Sequence, residues 1–356
     1  MKVVCYVGCY TNATQEGIHI FEVDTEQGTF QPVGSVRDTI NATYLALTRN
    51  KKYLYAVQGM TEYGAPAQYG AVAAYAVEGK SLRLLNHKPI GGTPPCYVAL
   101  DPAERAVVFA EYPNAISGVF ELQEDGRLSD APPHTVRHVG QGADPKRQSR
   151  AHAHCAVVSP DGKNLCVVDL GLDRVRVYDF RGRATGLKAK PTLDIVSVGG
   201  AGPRHLVFHP NGRWAFLLHE LNNTMSSFCY TGEAFVHVQT LPMLPAELTV
   251  SSKAGALKVS ADGRRLFGSN RGYESIVTYD IDLDTGHLTF LALSPLAGKA
   301  TRDFEFMPGE KFMLLGHQSS NELRAYAYDA AKGTFTPAHA PYVMPSPVCI
   351  VFGERC

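Results

Sequence analysis

A short hairpin signature recurs six times along this chain, and that repetition limits the fold more than any other feature. Its clearest copy is Leu206-Val207-Phe208-His209-Pro210-Asn211-Gly212-Arg213-Trp214-Ala215-Phe216-Leu217-Leu218. An apolar run reads as a strand, Pro210-Asn211-Gly212 as a tight turn, and the second apolar run as the paired strand, because Pro presets φ and Asn-Gly tolerates positive φ. Aligned copies begin at Thr48, Asp101, Ser159, His209, Ser260 and Met307, 47 to 58 residues apart. After each hairpin comes an alternating strand such as Arg174-Val175-Arg176-Val177-Tyr178, then an Asp/Gly turn and a short fourth strand. Four short strands per repeat of about 50 residues describe a propeller blade. Period-2 alternation and Gly/Pro turns exclude a helical solenoid, and six copies of one unit fit a two-sheet sandwich poorly.

Six hairpins leave two fragments. Pro347-Val348-Cys349-Ile350-Val351-Phe352 reads as a lone first strand, and Cys5-Tyr6-Val7-Gly8 with Ile18-His19-Ile20-Phe21 supplies the others. The expected fold is therefore all-β: a seven-bladed propeller of four-stranded antiparallel blades, 1–356 as a single domain. Strands from both ends of the chain share one blade and remove the exposed sheet edges. Stretches 59–70 and 140–150 are expected to be long loops, functional or mobile.

Composition narrows the function. Of 356 residues, 45% are hydrophobic and 19% charged, and 34 Lys+Arg balance 34 Asp+Glu, which argues against bulk nucleic-acid binding or a polybasic membrane surface. No apolar run approaches the ~18 residues that span a bilayer, and the start is too short and strand-like for a signal peptide, so a cytoplasmic protein is expected. The eight cysteines lack Cys-x-x-Cys spacing and are expected to be reduced rather than zinc ligands. Nucleotide-binding, serine-hydrolase-elbow and His-Glu-x-x-His motifs are missing from the sequence.

Polar residues gather just before the first and just after the second strand of each repeat, at one rim of the ring. Arg204 and His205 precede a strand and Glu220 follows its partner, so the hairpin brings residues 16 apart together. A simple surface ion pair of Arg204 with Glu220 is the competing reading. His152 and His154 alternate on a strand entry, as structural imidazoles or, less favourably, a metal pair. Asp169 reads either as a site residue or as a turn acceptor. Trp214 reads as a packing residue. An Arg-rich rim with His and Glu suits a small anionic ligand.

Several segments together resemble the lactonase family of seven-bladed propellers, which includes 6-phosphogluconolactonases and carboxymuconate-cyclising enzymes. They are Tyr6-Val7-Gly8-Cys9-Tyr10-Thr11, His152-Ala153-His154, Gly199-Gly200-Ala201-Gly202-Pro203-Arg204-His205, His219-Glu220-Leu221-Asn222 and Ser269-Asn270-Arg271-Gly272. The resemblance implies a channel site around His154, Arg204, Glu220 and Arg271, and a lactone hydrolase that needs no metal or cofactor. Glu220 would serve as general base, or His154 if Glu220 only orients it, and Arg204 would stabilise the oxyanion. Arg271 with Arg150 or His152 would hold the anionic tail of a sugar lactone, with His205, Asp169 and Asn222 completing the binding set. The family often shows Asn-Tyr where this chain has Glu111-Tyr112, and a Glu111 facing the site would repel phosphate. A cyclising enzyme for unsaturated polycarboxylates and a non-catalytic binding scaffold remain the alternatives. The expected partner is a small anionic sugar lactone, with no nucleic acid or membrane, in a monomer or homodimer.

Overall fold

The computed structural model describes residues 1–11, 16–37, 39–60 and 69–355. Most of the expected 59–70 loop, and Cys356, lie outside the described residues. All six hairpin turns close with the same two backbone bonds, and they start at the six residues that the repeat alignment marks. In the fifth blade the His209 N–H donates to Trp214 O and the Gly212 N–H to His209 O; equivalent pairs occur from Thr48, Asp101, Ser159, Ser260 and Met307. The residue three places on always has positive φ: Lys51, Glu104, Gly162, Gly212, Gly263 and Glu310.

Each of the six hairpins extends outward into an antiparallel sheet, and the two ends of the chain form a seventh. The first blade takes its innermost strand, Pro347–Arg355, from the end of the chain and pairs it with Lys2–Cys9. The other blades occupy residues 45–89, 97–137, 153–196, 203–242, 253–295 and 301–343 in chain order. Every innermost strand packs beside the innermost strand of the next blade, and the circuit closes through Pro347–Arg355. In the fourth and seventh blades the outer strand is broken in two. Lys188–Ala189 and Ile195–Val196 both pair with Arg174–Asp179, with Pro191 between them; Thr334–Pro337 and Tyr342–Val343 both pair with Glu322–Asp329, with Pro341 between them. Proline lacks the N–H that a continuous ladder needs, so the outer position is filled in two pieces.

The cores lie between blades. Trp214, Phe216 and Leu218 of the fifth blade pack with Leu266, Val277 and Tyr279 of the sixth, and the Trp214 indole N–H donates to Leu283 O at 3.0 Å. The seven described cysteines are free thiols. No helix among the described residues is long and apolar enough to cross a membrane.

The turns also chain blade to blade. His209 Nε2 lies 2.8 Å from the Gly263 carbonyl oxygen of the next blade, and the Ala261 N–H donates to Glu310 in the one after. A Cβ at Gly263 would sit 2.4 Å from His209 Nε2 and at a φ of 74°, whereas one at Gly162, φ 67°, meets nothing within 4 Å. Gly162→Ala should therefore cost only the left-handed backbone penalty of about 1–2 kcal/mol. Gly263→Ala should cost measurably more in urea unfolding, because it also breaks the tie to His209. Equal losses would show that the inter-blade tie carries no stability.

Candidate active site

The entry to five of the seven innermost strands is irregular, and that irregularity builds the site. Ala153 pairs with Asp169 and Cys155 with Val168, leaving His154 as an extra residue without a partner. Arg204 is the extra residue between Pro203 and His205, and Arg302 the one between Thr301 and Asp303. Such bulges break the alternation of side chains and re-aim the unpaired one. His154, Arg204 and Arg302 each stand five residues before the aligned start of their hairpin. Thr43 and Cys96 share that offset, and Thr43, Cys96, His154 and Arg302 all line one cavity of about 480 Å³ with Tyr10, Tyr112, Arg147 and Glu220.

Glu220 is the electrostatic centre. Its Oε1 lies 2.9 Å from Nη2 of Arg147, and its Oε2 lies 3.0 Å from Nε of Arg204 and 2.9 Å from Nη2 of Arg271. The Arg204–Glu220 pair is not a surface pair: the two side chains are only 3% and 6% exposed. Burial alone would raise the Glu220 carboxyl, but Arg271 and Arg204, with Arg147, hold it far below the usual carboxylate range. Arg204 lies beneath the main cavity. It donates to the Gly255 carbonyl and sits 2.9 Å from His205 Nε2. Burial, then Arg302 and Arg271, bring its pKa down to about 10.

His154 is buried and its Nδ1 has no hydrogen-bond partner. Burial first, then Arg204, push its pKa well below that of ordinary histidine, so the imidazole is neutral. Tyr112 forms the adjoining wall. Its ring stacks on His152 at 4.2 Å, and the Tyr112 carbonyl lies 3.0 Å from His152 Nδ1. Arg147 comes from the 140–150 loop, which Gln148 pins. The Gln148 amide donates to Leu170 O at 2.8 Å and to Asp173 at 2.7 Å. Asp173 in turn accepts the Gly200 and Gly202 N–H groups, both at 2.7 Å. Gly202, at a φ of 61°, accepts the Glu220 N–H at 2.7 Å. This cradle explains the glycine run before Arg204: a Cβ at Gly202 would meet Leu221 Cγ at 2.4 Å.

The expected site residues therefore divide. Glu220 and His154 line the cavity, while Arg204, His205 and Arg271 support it from below or beside. His152 positions Tyr112 rather than facing the cavity. Arg150, Asp169 and Asn222 are not brought to it. Arg150 is exposed and lines a separate cavity with His138 and Pro113. Asn222 is exposed, accepts the Thr224 hydroxyl at 2.9 Å and borders another cavity beside His219. Asp169 is fully buried, 2.6 Å from His138 Nδ1, and accepts the Leu172 N–H at 3.1 Å, as the turn-acceptor reading has it.

Asp169 and Glu111 stand ten residues after their hairpin starts, whereas Tyr112, Glu220 and Arg271 stand eleven after theirs, and neighbours on a strand point to opposite sides. Glu111 is accordingly fully buried, accepting Asn114 N–H and side-chain bonds at 2.9 Å and the Thr93 hydroxyl, and it does not line the cavity. Arg147, Arg302 and Tyr112 were not among the expected site residues. The fixed offsets from the hairpin start mark Arg302 and Tyr112; Arg147 sits in a loop outside the repeat and carries no such signal. Among the described residues no three His, Cys, Asp or Glu side chains gather as a metal-binding group.

Replacing Glu220 leaves three guanidiniums without their counter-charge, and breaking a buried pair costs about 3–5 kcal/mol. Glu220→Gln should lose that much in urea unfolding at neutral pH in a phosphate-free buffer. The folded-state pKa is depressed, so the carboxylate's contribution is complete above its ordinary value of 4.5 and fades as pH falls toward the lower folded value. The difference between wild type and variant should hold from pH 7 to about pH 5 and shrink below it; a constant difference would contradict the charge assignment.

A family model described as "Lactonase, 7-bladed beta-propeller" matches residues 4–352. A protein named 6-phosphogluconolactonase from Bacillus subtilis is 32% identical, over 99% of this chain and 98% of that one. Another of that name from Formosa agariphila is 28% identical, covering 92% and 93%. A solved structure described as the Pseudomonas aeruginosa periplasmic gluconolactonase PpgL superposes with a TM-score of 0.92 at 30% identity, over the whole of both chains. With its bulged strand entries turned into one arginine-lined cavity, the chain belongs to the lactonase family of seven-bladed β-propellers.

Proposed function

We propose that the cavity hydrolyses the lactone of a small anionic sugar acid, with 6-phosphoglucono-1,5-lactone as the substrate. The observation that carries this reading is charge. Arg147, Arg204, Arg271 and Arg302 stand at or beside the cavity, and among the described residues Glu220 is the one carboxylate that lines it. An excess of guanidinium in a recess favours an anionic ligand. The names of the Bacillus and Formosa relatives supply the particular lactone. Glu111 is turned into its own hairpin end and does not line the cavity.

His154 is the better general base. Both Glu220 oxygens are engaged by guanidiniums, which weakens their pull on a proton, whereas the His154 imidazole is neutral and lines the cavity. His154 takes a proton from water as the hydroxide adds to the lactone carbonyl carbon. The oxyanion forms beside the Arg147 guanidinium, and the Glu220 carboxylate offsets the imidazolium. When the ring C–O bond breaks, the imidazolium returns its proton to the departing oxygen, leaving the open-chain acid with a free hydroxyl. Arg204 and Arg271 hold Glu220 in place.

His154→Gln should lower kcat by about 10²–10⁴-fold on freshly made 6-phosphogluconolactone, followed by proton release above the spontaneous background. Arg150→Ala and Asn222→Ala, outside the cavity, should change kcat/KM less than about twofold, against the 10²-fold scale of a lost charge-stabilising donor. The base must be neutral to act and its pKa is lowered, so the acid limb of kcat/KM should fall below pH 6.5. Full turnover by His154→Gln would remove the base assignment. No turnover of either the phosphorylated or the plain lactone by the wild type would favour the cyclising reaction on polycarboxylates.

A further inference from the structure

We propose that Arg302 seats the anionic group of the substrate, and that this ion pair is what permits His154 to accept a proton from water. Arg302 differs from the other arginines of the site. Arg147, Arg204 and Arg271 all pair with Glu220, whereas among the described residues Arg302 has no carboxylate within ion-pair distance. Its Nη2 lies 3.4 Å from the Tyr10 hydroxyl, and its guanidinium carbon lies 6.0 Å from the centroid of the Tyr10 ring. The ring orients the cation without neutralising it. Arg302 lines the main cavity and also the narrow space beneath it, which holds Arg204 and His205. The bulge that frees it from the strand ladder is the same one that frees His154 three blades away.

The groups facing His154 are Arg204, Arg302 and Glu220, which are charged, and Tyr112, His205 and Cys96, which pack around it. Burial and the two arginines oppose a proton on the imidazole, and Glu220 favours one. A dianion on Arg302 removes one opposing charge and adds a favourable one. The proton-accepting state of His154 then becomes accessible only when the anionic group is seated. A lactone without that group enters the same cavity but leaves Arg302 bare and His154 reluctant. Substrate charge is thus converted into catalytic competence as well as affinity.

The kinetic part of this inference rests on the lactonase reading; the anion seat does not. The test follows the His154 ring by NMR between pH 4 and 8, assigned by its loss in His154→Gln, with and without inorganic phosphate. Phosphate should raise the His154 midpoint by about one unit or more in wild type and leave it unmoved in Arg302→Gln. In parallel, the ratio of kcat/KM for 6-phosphogluconolactone over gluconolactone should fall about 10²-fold in Arg302→Gln and recover in part in Arg302→Lys. Absence of the phosphate shift, or an equal shift in Arg302→Gln, overturns the proposal even where lactones are hydrolysed. A phosphate shift that needs Arg302, in a protein that hydrolyses neither lactone, would uphold the anion seat and remove the lactonase reading instead.

Discussion

The pairing of Pro347–Arg355 with Lys2–Cys9 is the constraint on which the rest of this structure depends. Seven twisted sheets packed face to face leave the first blade short of its inner strand, and the ring open, until that strand is supplied from the far end of the chain. Once closed, the ring presents all of its inner-strand entries to one another across a common channel. Residues separated by a hundred or more positions then share one electrostatic environment. The seam itself borders the site. The Tyr10 N–H, one residue past the first strand, donates to Ser346 O at 3.1 Å, just before the last strand begins, and the Tyr10 side chain is the neighbour of Arg302.

Glu220 shows what such closure permits. A lone carboxylate buried to this degree would be expensive to ionise, and three buried or half-buried guanidiniums would repel one another. Drawn from the loop before the fourth blade and from the fifth and sixth blades, Arg147, Arg204 and Arg271 share the single carboxylate and settle both problems. The same arrangement makes Glu220 too well solvated by cations to compete strongly for a proton, which leaves the acid–base role to a neutral imidazole nearby.

Much of this was legible in the sequence, for local reasons. The six hairpin turns depend on residues within a few positions of one another, so Pro160-Asp161-Gly162 and Pro210-Asn211-Gly212 announce themselves. Hairpin geometry also carries Arg204 to Glu220 without any knowledge of the ring. What the sequence did not display is which way a rim residue points. His152 and His154 alternate as if they shared a face, but the bulge at His154 separates their roles. Asp169 and Glu220 look equivalent until their one-residue difference in offset is counted, and one closes a turn while the other faces the cavity. The Arg147 loop lies outside the repeat, and its placement depends on Gln148, Asp173 and a neighbouring blade, a long-range arrangement that no spacing encodes.

The bulged entry has a consequence for how such a protein changes over generations. A residue without a ladder partner can be exchanged with little disturbance to the sheet around it. The positions of His154, Arg302 and Val348 offer such slots in three of the blades, each lining the cavity or the narrow space beneath it. They amount to a three-letter word written around the ring, rewritable one letter at a time while the scaffold that displays it stays constant. A change of ligand preference in this chain can then come from substitutions at a handful of positions that the sheet leaves free.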